Sequence, residues 1–130
     1  MKLDILAIGA HPDDVEMSCG GTIAKEIANG KKVGILDLTR GELGTRGSAE
    51  IRDQESKNAA EILGVHMRQN LAFADGFFVN NHASQLEIIK VIRKYKPEIV
   101  IPTCVMSHNS SETNVRVLSS KTNRIMYLSR

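Results

Sequence analysis

Apolar residues recur along this chain in short continuous runs that alternate with longer segments of helical spacing. A short apolar run containing β-branched residues is typical of a buried strand, whereas apolar residues three and four positions apart indicate an amphipathic helix. This pattern predicts strands at Leu3–Gly9, Lys32–Leu38, Met67–Phe73 and Glu98–Ile101, and helices at Val15–Asn29, from the N-cap Ser48 to Leu63, and at His82–Tyr95.

Two features inside the predicted helices concern packing. In the third helix, Leu86, Ile89 and Ile92 lie on one face, which we expect to be the buried one. In the first helix, Gly20 and Gly21 would each cost about 1 kcal/mol relative to alanine. Such a cost suggests close packing or a nearby ligand at this point of the helix.

The predicted order is β-α-β-α-β-α-β, which is typical of an α/β protein with right-handed crossovers. We therefore expect a Rossmann-like three-layer fold with a mostly parallel sheet. Ligands of such sheets gather beyond the carboxyl ends of the strands. The loops Ala10–Asp14 and Thr39–Gly47 both lie at that edge.

Composition narrows the classes of function. A length of 130 residues fits a single domain, and a net charge of +2 argues against nucleic acid or an anionic membrane as a partner. No segment approaches the roughly 18–20 apolar residues that cross a bilayer. The segment Met1–Ile5 leads into a strand without the apolar stretch of a secretory signal, so we expect a cytoplasmic location. Cys19 and Cys104 form no CxxC pair and are interpreted as reduced thiols.

His11, Asp13 and Asp14 directly follow the first predicted strand. Imidazole and carboxylate groups are good zinc ligands, and His11 and Asp14, three residues apart on a turn entering a helix, can converge on one ion. Asp13 would then point elsewhere, where it could accept a proton from a water molecule that the metal makes more acidic. A second interpretation stays open, because acidic residues are common in the first turn of any helix, where they complement its dipole.

The chain around this motif resembles the LmbE-like family of zinc deacetylases, which includes the N-acetylglucosaminyl-phosphatidylinositol deacetylases (PIG-L). The resemblance spans about residues 3–101 and rests on the segments Ala10–Glu16, Cys19–Ala24, Asp37–Thr45, Arg52–Glu55 and Ala59–Val65. It implies that His11 and Asp14 are zinc ligands and that Asp13 is the general base.

The resemblance also implies a substrate pocket, into which Arg52 reaches. A guanidinium there could bind a substrate hydroxyl, phosphate or carboxylate. Without the family, Arg52 would be interpreted as a partner of Glu55 on a solvated helix face. Glu42 and the loop Gly41–Thr45 are implied to line the sugar site.

The chain departs from the family pattern after the fourth predicted strand. Family members place there a His-Pro-Asp-His-like segment that supplies a third zinc ligand and a histidine that stabilises the oxyanion. Here Pro102 precedes a segment with one histidine, His108, and no HxxH, so no family role passes to His108, Cys104 or Glu112. We therefore predict a family domain over residues 1–102 with its C-terminal elements missing or altered, followed by a divergent tail over 103–130.

These observations support two functional hypotheses. The first is a zinc-dependent hydrolase that removes an acetyl group from an N-acetylglucosamine-type substrate, with Zn²⁺ as cofactor and a small amino sugar as partner. The second, favoured by the missing HxxH, is a catalytically inactive, truncated family member or small-molecule-binding remnant. A nucleotide-binding domain is a third alternative, because glycine-rich loops at strand ends can hold phosphates. It is the weaker one, because Gly9–Asp14 is not GxGxxG and its two acids would repel a phosphate. The sheet edge left by missing elements would invite homo-oligomerisation.

Overall fold

A parallel sheet with the strand order β3-β2-β1-β4 forms the centre of the protein. The structure is a computed structural model that describes residues 1–103. Its elements are the strands β1 (Ile5–Gly9), β2 (Val33–Thr39), β3 (Met67–Phe73) and β4 (Ile99–Pro102) and the helices α1 (Asp14–Ala28), α2 (Ala49–Leu63) and α3 (His82–Tyr95). The predicted α/β class and the parallel sheet are confirmed, while the predicted tail beyond residue 103 lies outside the described residues.

Alternate residues of the central strands supply the cores on the two faces of the sheet. In β1, Ile5 and Ala7 pack with residues of α1 and with Leu63 of α2, whereas Leu6 and Ile8 pack with residues of α3. Because side chains alternate along a strand, a strand that is apolar at every position must be covered on both faces. The helices therefore form two outer layers around the sheet.

The buried face of α3 differs from the predicted one. Val91 is 3% exposed and packs in the core, with Ile88 and Ile92 half-buried beside it. The prediction was wrong for Leu86 and Ile89, which are 44% and 37% exposed. The helix carries more apolar residues than one face can hold, so contact with the sheet, and not hydrophobicity alone, selects the buried stripe.

The glycine pair in α1 does not mark close packing. Apart from their chain neighbours and the nearby backbone of the helix itself, no atom of the described residues lies within 4 Å of an ideal Cβ at Gly20 or Gly21, so no other element packs closely there. The helix is kinked immediately before this pair, where Cys19 has φ −142°. The glycines thus follow an irregular point of the helix, where Gly20 is half-buried and Gly21 is exposed.

The carboxyl ends of β1, β2 and β3 meet at one edge of the sheet. The chain leaving β1 is joined to the end of β2 by the Thr39 hydroxyl, which donates to the carbonyl oxygen of Ala10 at 2.9 Å. This contact brings the segment after β1 next to the glycine-rich loop after β2. No helix in residues 1–103 has both the length and the apolar character that spanning a membrane requires.

Candidate active site

His11 and Asp14 lie side by side where the chain leaves β1 and enters α1. The His11 Nδ1 atom is 3.5 Å from Asp14 Oδ2, and the His11 backbone N–H donates to the same oxygen at 2.9 Å. Two ligands of a tetrahedral zinc ion, at usual bond lengths of about 2.0–2.2 Å, are about 3.4 Å apart. The chemistry and spacing of this pair therefore fit two positions of a zinc site.

A second carboxylate holds the other edge of the His11 ring. The Nε2 atom of His11 is 2.8 Å from Asp75 Oδ1, and Asp75 is 8% exposed. Asp75 lies in the loop between β3 and α3, far from His11 in sequence. The sequence did not identify Asp75 as a site residue; its position just beyond the strand predicted at Met67–Phe73 was the available signal.

The pKa values of His11 and Asp14 are both shifted from their ordinary values. The adjacent Asp14 carboxylate, assisted by Asp75 and opposed by partial burial, raises the pKa of His11 to about 9. Burial acts to raise the pKa of Asp14, but its contacts with the ring and backbone N–H of His11 outweigh burial and lower it. In the metal-free protein His11 is therefore protonated at neutral pH, and a metal ion must displace that proton to bind.

The Asp13 side chain faces Arg52. The Asp13 side chain is 53% exposed, and its Oδ2 lies 3.3 Å from Arg52 Nη2. Arg52 extends from the first turn of α2 and donates from Nη1 to the carbonyl oxygen of Gly41 at 2.9 Å. The structure thus directs Arg52 toward Asp13 and the glycine-rich loop, and not toward Glu55.

An open cleft of about 410 Å³ lies over Asp13 and Arg52. Its remaining wall is formed by residues 44–47 of the glycine-rich loop, Ile51 and Glu55. A carboxylate and a guanidinium on one polar cleft suit a ligand that carries hydroxyl groups. Glu42, expected to line the sugar site, accepts a hydrogen bond from the Asp75 N–H at 2.8 Å, and its role toward a sugar stays a prediction.

Gly41 is required where Arg52 crosses the loop. Its φ is +66°, and a Cβ at this position would lie 2.0 Å from Arg52 Nη1. We expect Gly41→Ala to lower the free energy of unfolding by about 1–3 kcal/mol through backbone strain, and to displace Arg52 from Asp13. Urea unfolding measures the first effect, and a crystal structure of the variant shows the second.

Gly47→Ala is the matched control for this substitution. Gly47 has φ +76°, but the nearest atom to its Cβ would be 3.9 Å away. Alanine there introduces a similar backbone strain without displacing a side chain. If Gly41→Ala left Arg52 in contact with Asp13, Gly41 would not control the position of the guanidinium.

A third zinc ligand does not join the pair within residues 1–103. Among these residues, no group of three His, Cys, Asp or Glu side chains could hold a metal ion. Asp75 is near, but it contacts the ring edge opposite to the one that faces Asp14. Cys104, His108 and Glu112 lie outside the described residues, and no candidate among them is tested.

A buried ion cluster lies beside the site and was not predicted. Arg68 of β3 donates to both oxygens of Asp37 at 2.8 and 3.0 Å, and also contacts Glu16. The side chains of Arg68 and Asp37 are 9% and 2% exposed. Burial raises the pKa of Asp37, although hydrogen bonds from Arg68 oppose this shift. The cluster joins α1, β2 and β3 beside the site.

Comparison with known proteins finds a matching family model and relatives whose names describe deacetylases. The family model for PIG-L, GlcNAc-PI de-N-acetylase, matches residues 6–114 and so runs past Pro102. A diacetylchitobiose deacetylase of Thermococcus kodakarensis is 39% identical over 104 residues, covering 75% of this chain and 39% of that protein. An uncharacterized deacetylase of Escherichia coli is 46% identical over 71 residues, covering 55% of this chain and 38% of that protein.

A comparison of folds also finds a solved structure that matches most of this chain. The crystal structure of a conserved protein from Thermus thermophilus matches with a TM-score of 0.71 and 44% identity, covering 75% of this chain and 44% of that one. The chain spans about two fifths of the length of the two curated relatives described above.

Proposed function

This chain belongs to the PIG-L family, and on that premise we propose that it acts in a zinc-dependent N-deacetylase whose substrate is of the N-acetylglucosamine type. The observation that carries the proposal is the different placement of three side chains within the turn between β1 and α1. His11 and Asp14 lie together at a ligand spacing, while Asp13 faces the open cleft. The diacetylchitobiose deacetylase relative supports the amino-sugar class of substrate.

Each of the four predicted site residues has a distinct role in this proposal. His11 and Asp14 would hold the zinc ion, which when bound polarises the amide carbonyl and lowers the pKa of water. Asp13 would accept a proton from the attacking water and pass it to the leaving nitrogen as the C–N bond breaks, releasing acetate and an amine. Arg52 would hold a substrate hydroxyl or anionic group in the cleft, beside Asp13.

One observation favours a second candidate function, a family member that binds metal and sugar without turnover. Only two metal-binding side chains converge within residues 1–103, and an ion held by two protein ligands is bound more weakly than one held by three. A cytoplasmic location and homo-oligomerisation stay predictions under both candidates.

Metal removal and restoration test the proposed function. We expect the purified protein to hold about one zinc ion per chain and to release amine from N-acetylglucosamine. Activity should disappear after chelation and return with added Zn²⁺. His11→Ala is the matched variant, because it removes one ligand and leaves Asp13 and Arg52 in place. Full activity after complete metal removal would overturn the zinc mechanism, whereas zinc binding without amine release would support the second candidate.

A further inference from the structure

We infer that Asp75 is a positioning residue that fixes the proton of His11 on Nε2 and leaves the Nδ1 lone pair facing Asp14. This inference rests on the proposed function, because it assigns Nδ1 as the nitrogen that binds zinc. It concerns a residue to which the sequence analysis gave no role.

The two edges of the His11 ring have different geometry. The distance of 2.8 Å from Nε2 to Asp75 Oδ1 is that of a good hydrogen bond, whereas 3.5 Å from Nδ1 to Asp14 Oδ2 is long for one. The longer distance is close to the roughly 3.4 Å between two ligands of one tetrahedral zinc ion. A neutral imidazole carries a proton on one nitrogen and a lone pair on the other. The proton therefore lies on Nε2, which makes the short contact with Asp75, and the lone pair of Nδ1 is left to bind the metal.

The surroundings of Asp75 hold its carboxylate in this orientation. Asp75 is 8% exposed, and its second oxygen, Oδ2, accepts a hydrogen bond from the Leu43 N–H at 3.2 Å. Its own N–H donates to Glu42 Oε1 at 2.8 Å. The loop after β2 thus fixes Asp75, and Asp75 in turn fixes His11. A carboxylate behind a metal-binding histidine is a common means of setting its tautomer and raising its basicity.

The two acceptor contacts of Asp75 make Asp75→Asn a sharp test. Both carboxylate oxygens face donors, Oδ1 toward His11 and Oδ2 toward Leu43 N–H. An amide has one acceptor oxygen, so an asparagine that keeps the Leu43 contact must turn its NH₂ group toward His11 Nε2. The ring proton is then driven to Nδ1, where it blocks metal binding. We expect the zinc affinity to fall about 10–100-fold, as measured by competition with a chromophoric chelator.

Glu42→Gln is the matched control for the lost charge. It also replaces a carboxylate by an amide in the same hydrogen-bonded group, but glutamine keeps the oxygen that accepts from the Asp75 N–H, and Glu42 does not contact His11. We expect its zinc affinity to stay within about threefold of wild type, since the tautomer of His11 is unchanged. An equal loss in both variants would overturn the inference, because the effect would then be one of charge.

Ring-nitrogen NMR gives a readout that a merely structural role would not move. In the zinc-loaded protein labelled with [¹⁵N]histidine, two-bond ¹H–¹⁵N correlation spectra should show that the ring proton of His11 is on Nε2. A proton on Nδ1 in the wild type would overturn the inference even if Asp75→Asn failed to fold. Equal zinc affinity in wild type and a folded Asp75→Asn would also overturn it, with the proposed function intact.

A failure of the proposed function can be distinguished from a failure of the inference about Asp75. If the wild type binds no zinc, the zinc site proposed above fails. Spectra of the metal-free protein, taken above the pKa of His11, then still test the contact with Asp75. A proton on Nε2 in the wild type that moves to Nδ1 in Asp75→Asn would support the positioning role, and identical tautomers in the two proteins would overturn it.

Discussion

Asp13→Asn is expected to lower kcat for deacetylation by about 10²–10⁴-fold, the usual contribution of a positioned general base, while the zinc affinity stays close to that of wild type. Asparagine has nearly the same shape but cannot accept the proton of the attacking water. The Asp13 side chain faces Arg52 and the cleft, so its loss leaves the His11–Asp14 pair intact. Steady-state amine release and chelator competition measure the two quantities independently.

Asp53→Asn is a suitable control for Asp13→Asn. Asp53 lies one residue after Arg52 on α2, but it pairs with Arg40 at 2.6 Å and does not line the cleft. Removing this carboxylate is expected to leave kcat nearly unchanged. A fully active Asp13→Asn would show that the base lies elsewhere in the protein, and a loss of zinc from Asp13→Asn would show that Asp13 is itself a ligand.

The part of the candidate site whose geometry follows from local sequence is contained in one turn, whereas Arg52 of α2 was assigned only from the family resemblance. His11, Asp13 and Asp14 are so close along the chain that the β1–α1 turn alone sets their relative positions. The buried strands could also be predicted from the sequence, because β1 and β2 are apolar at nearly every position and parallel sheets bury both faces. Local pattern was sufficient where local geometry decides the structure.

The position of Asp75 beyond a predicted strand marked it as a candidate, but its contact with His11 could not be predicted, because that contact depends on a strand register that no local pattern shows. The pairing of β2 with β3 shifts between Asp37 and Thr39, where Phe73, and not Ala72, pairs with Thr39. Ala72 has φ +52° at this irregularity. A bulge of this kind re-aims the residues that follow it, and here it decides which side chain after β3 reaches His11.

Arg68 illustrates the same difficulty for charged residues inside a strand. Nothing in the segment around Arg68 distinguishes a buried cation from one whose side chain reaches solvent. Its partners Glu16 and Asp37 come from α1 and β2, and the carbonyl oxygen of Ser56 comes from α2. Only the packed fold brings these elements together around the guanidinium.

Arg68→Met is expected to lower the free energy of unfolding by about 3–5 kcal/mol, the usual cost of leaving a buried charge without its partner. Asp37 is 2% exposed, and Glu16 Oε2 is a buried oxygen without a hydrogen bond among the described residues even with Arg68 present. Methionine fills similar volume but neutralises neither carboxylate. Urea unfolding at neutral pH measures the change.

The pH dependence of this loss identifies its cause. Burial raises the pKa of Asp37, and Arg68 opposes that shift, so the carboxyl should bind a proton more readily in Arg68→Met. A carboxyl whose pKa is raised on folding destabilises the fold most at high pH, and this penalty is relieved as pH falls through the raised pKa. The difference between wild type and Arg68→Met should therefore narrow as pH is lowered.

Arg40→Met separates burial from simple loss of an ion pair. Arg40 pairs with Asp53, but both side chains are about one-third exposed, at 36% and 35%, and ion pairs in contact with solvent contribute little to stability. Arg40→Met should therefore be nearly neutral and show little change of effect with pH. If Arg68→Met lowered the free energy of unfolding as little as Arg40→Met, water would have to solvate Asp37 and Glu16. The ion cluster beside the site would then not depend on its cation.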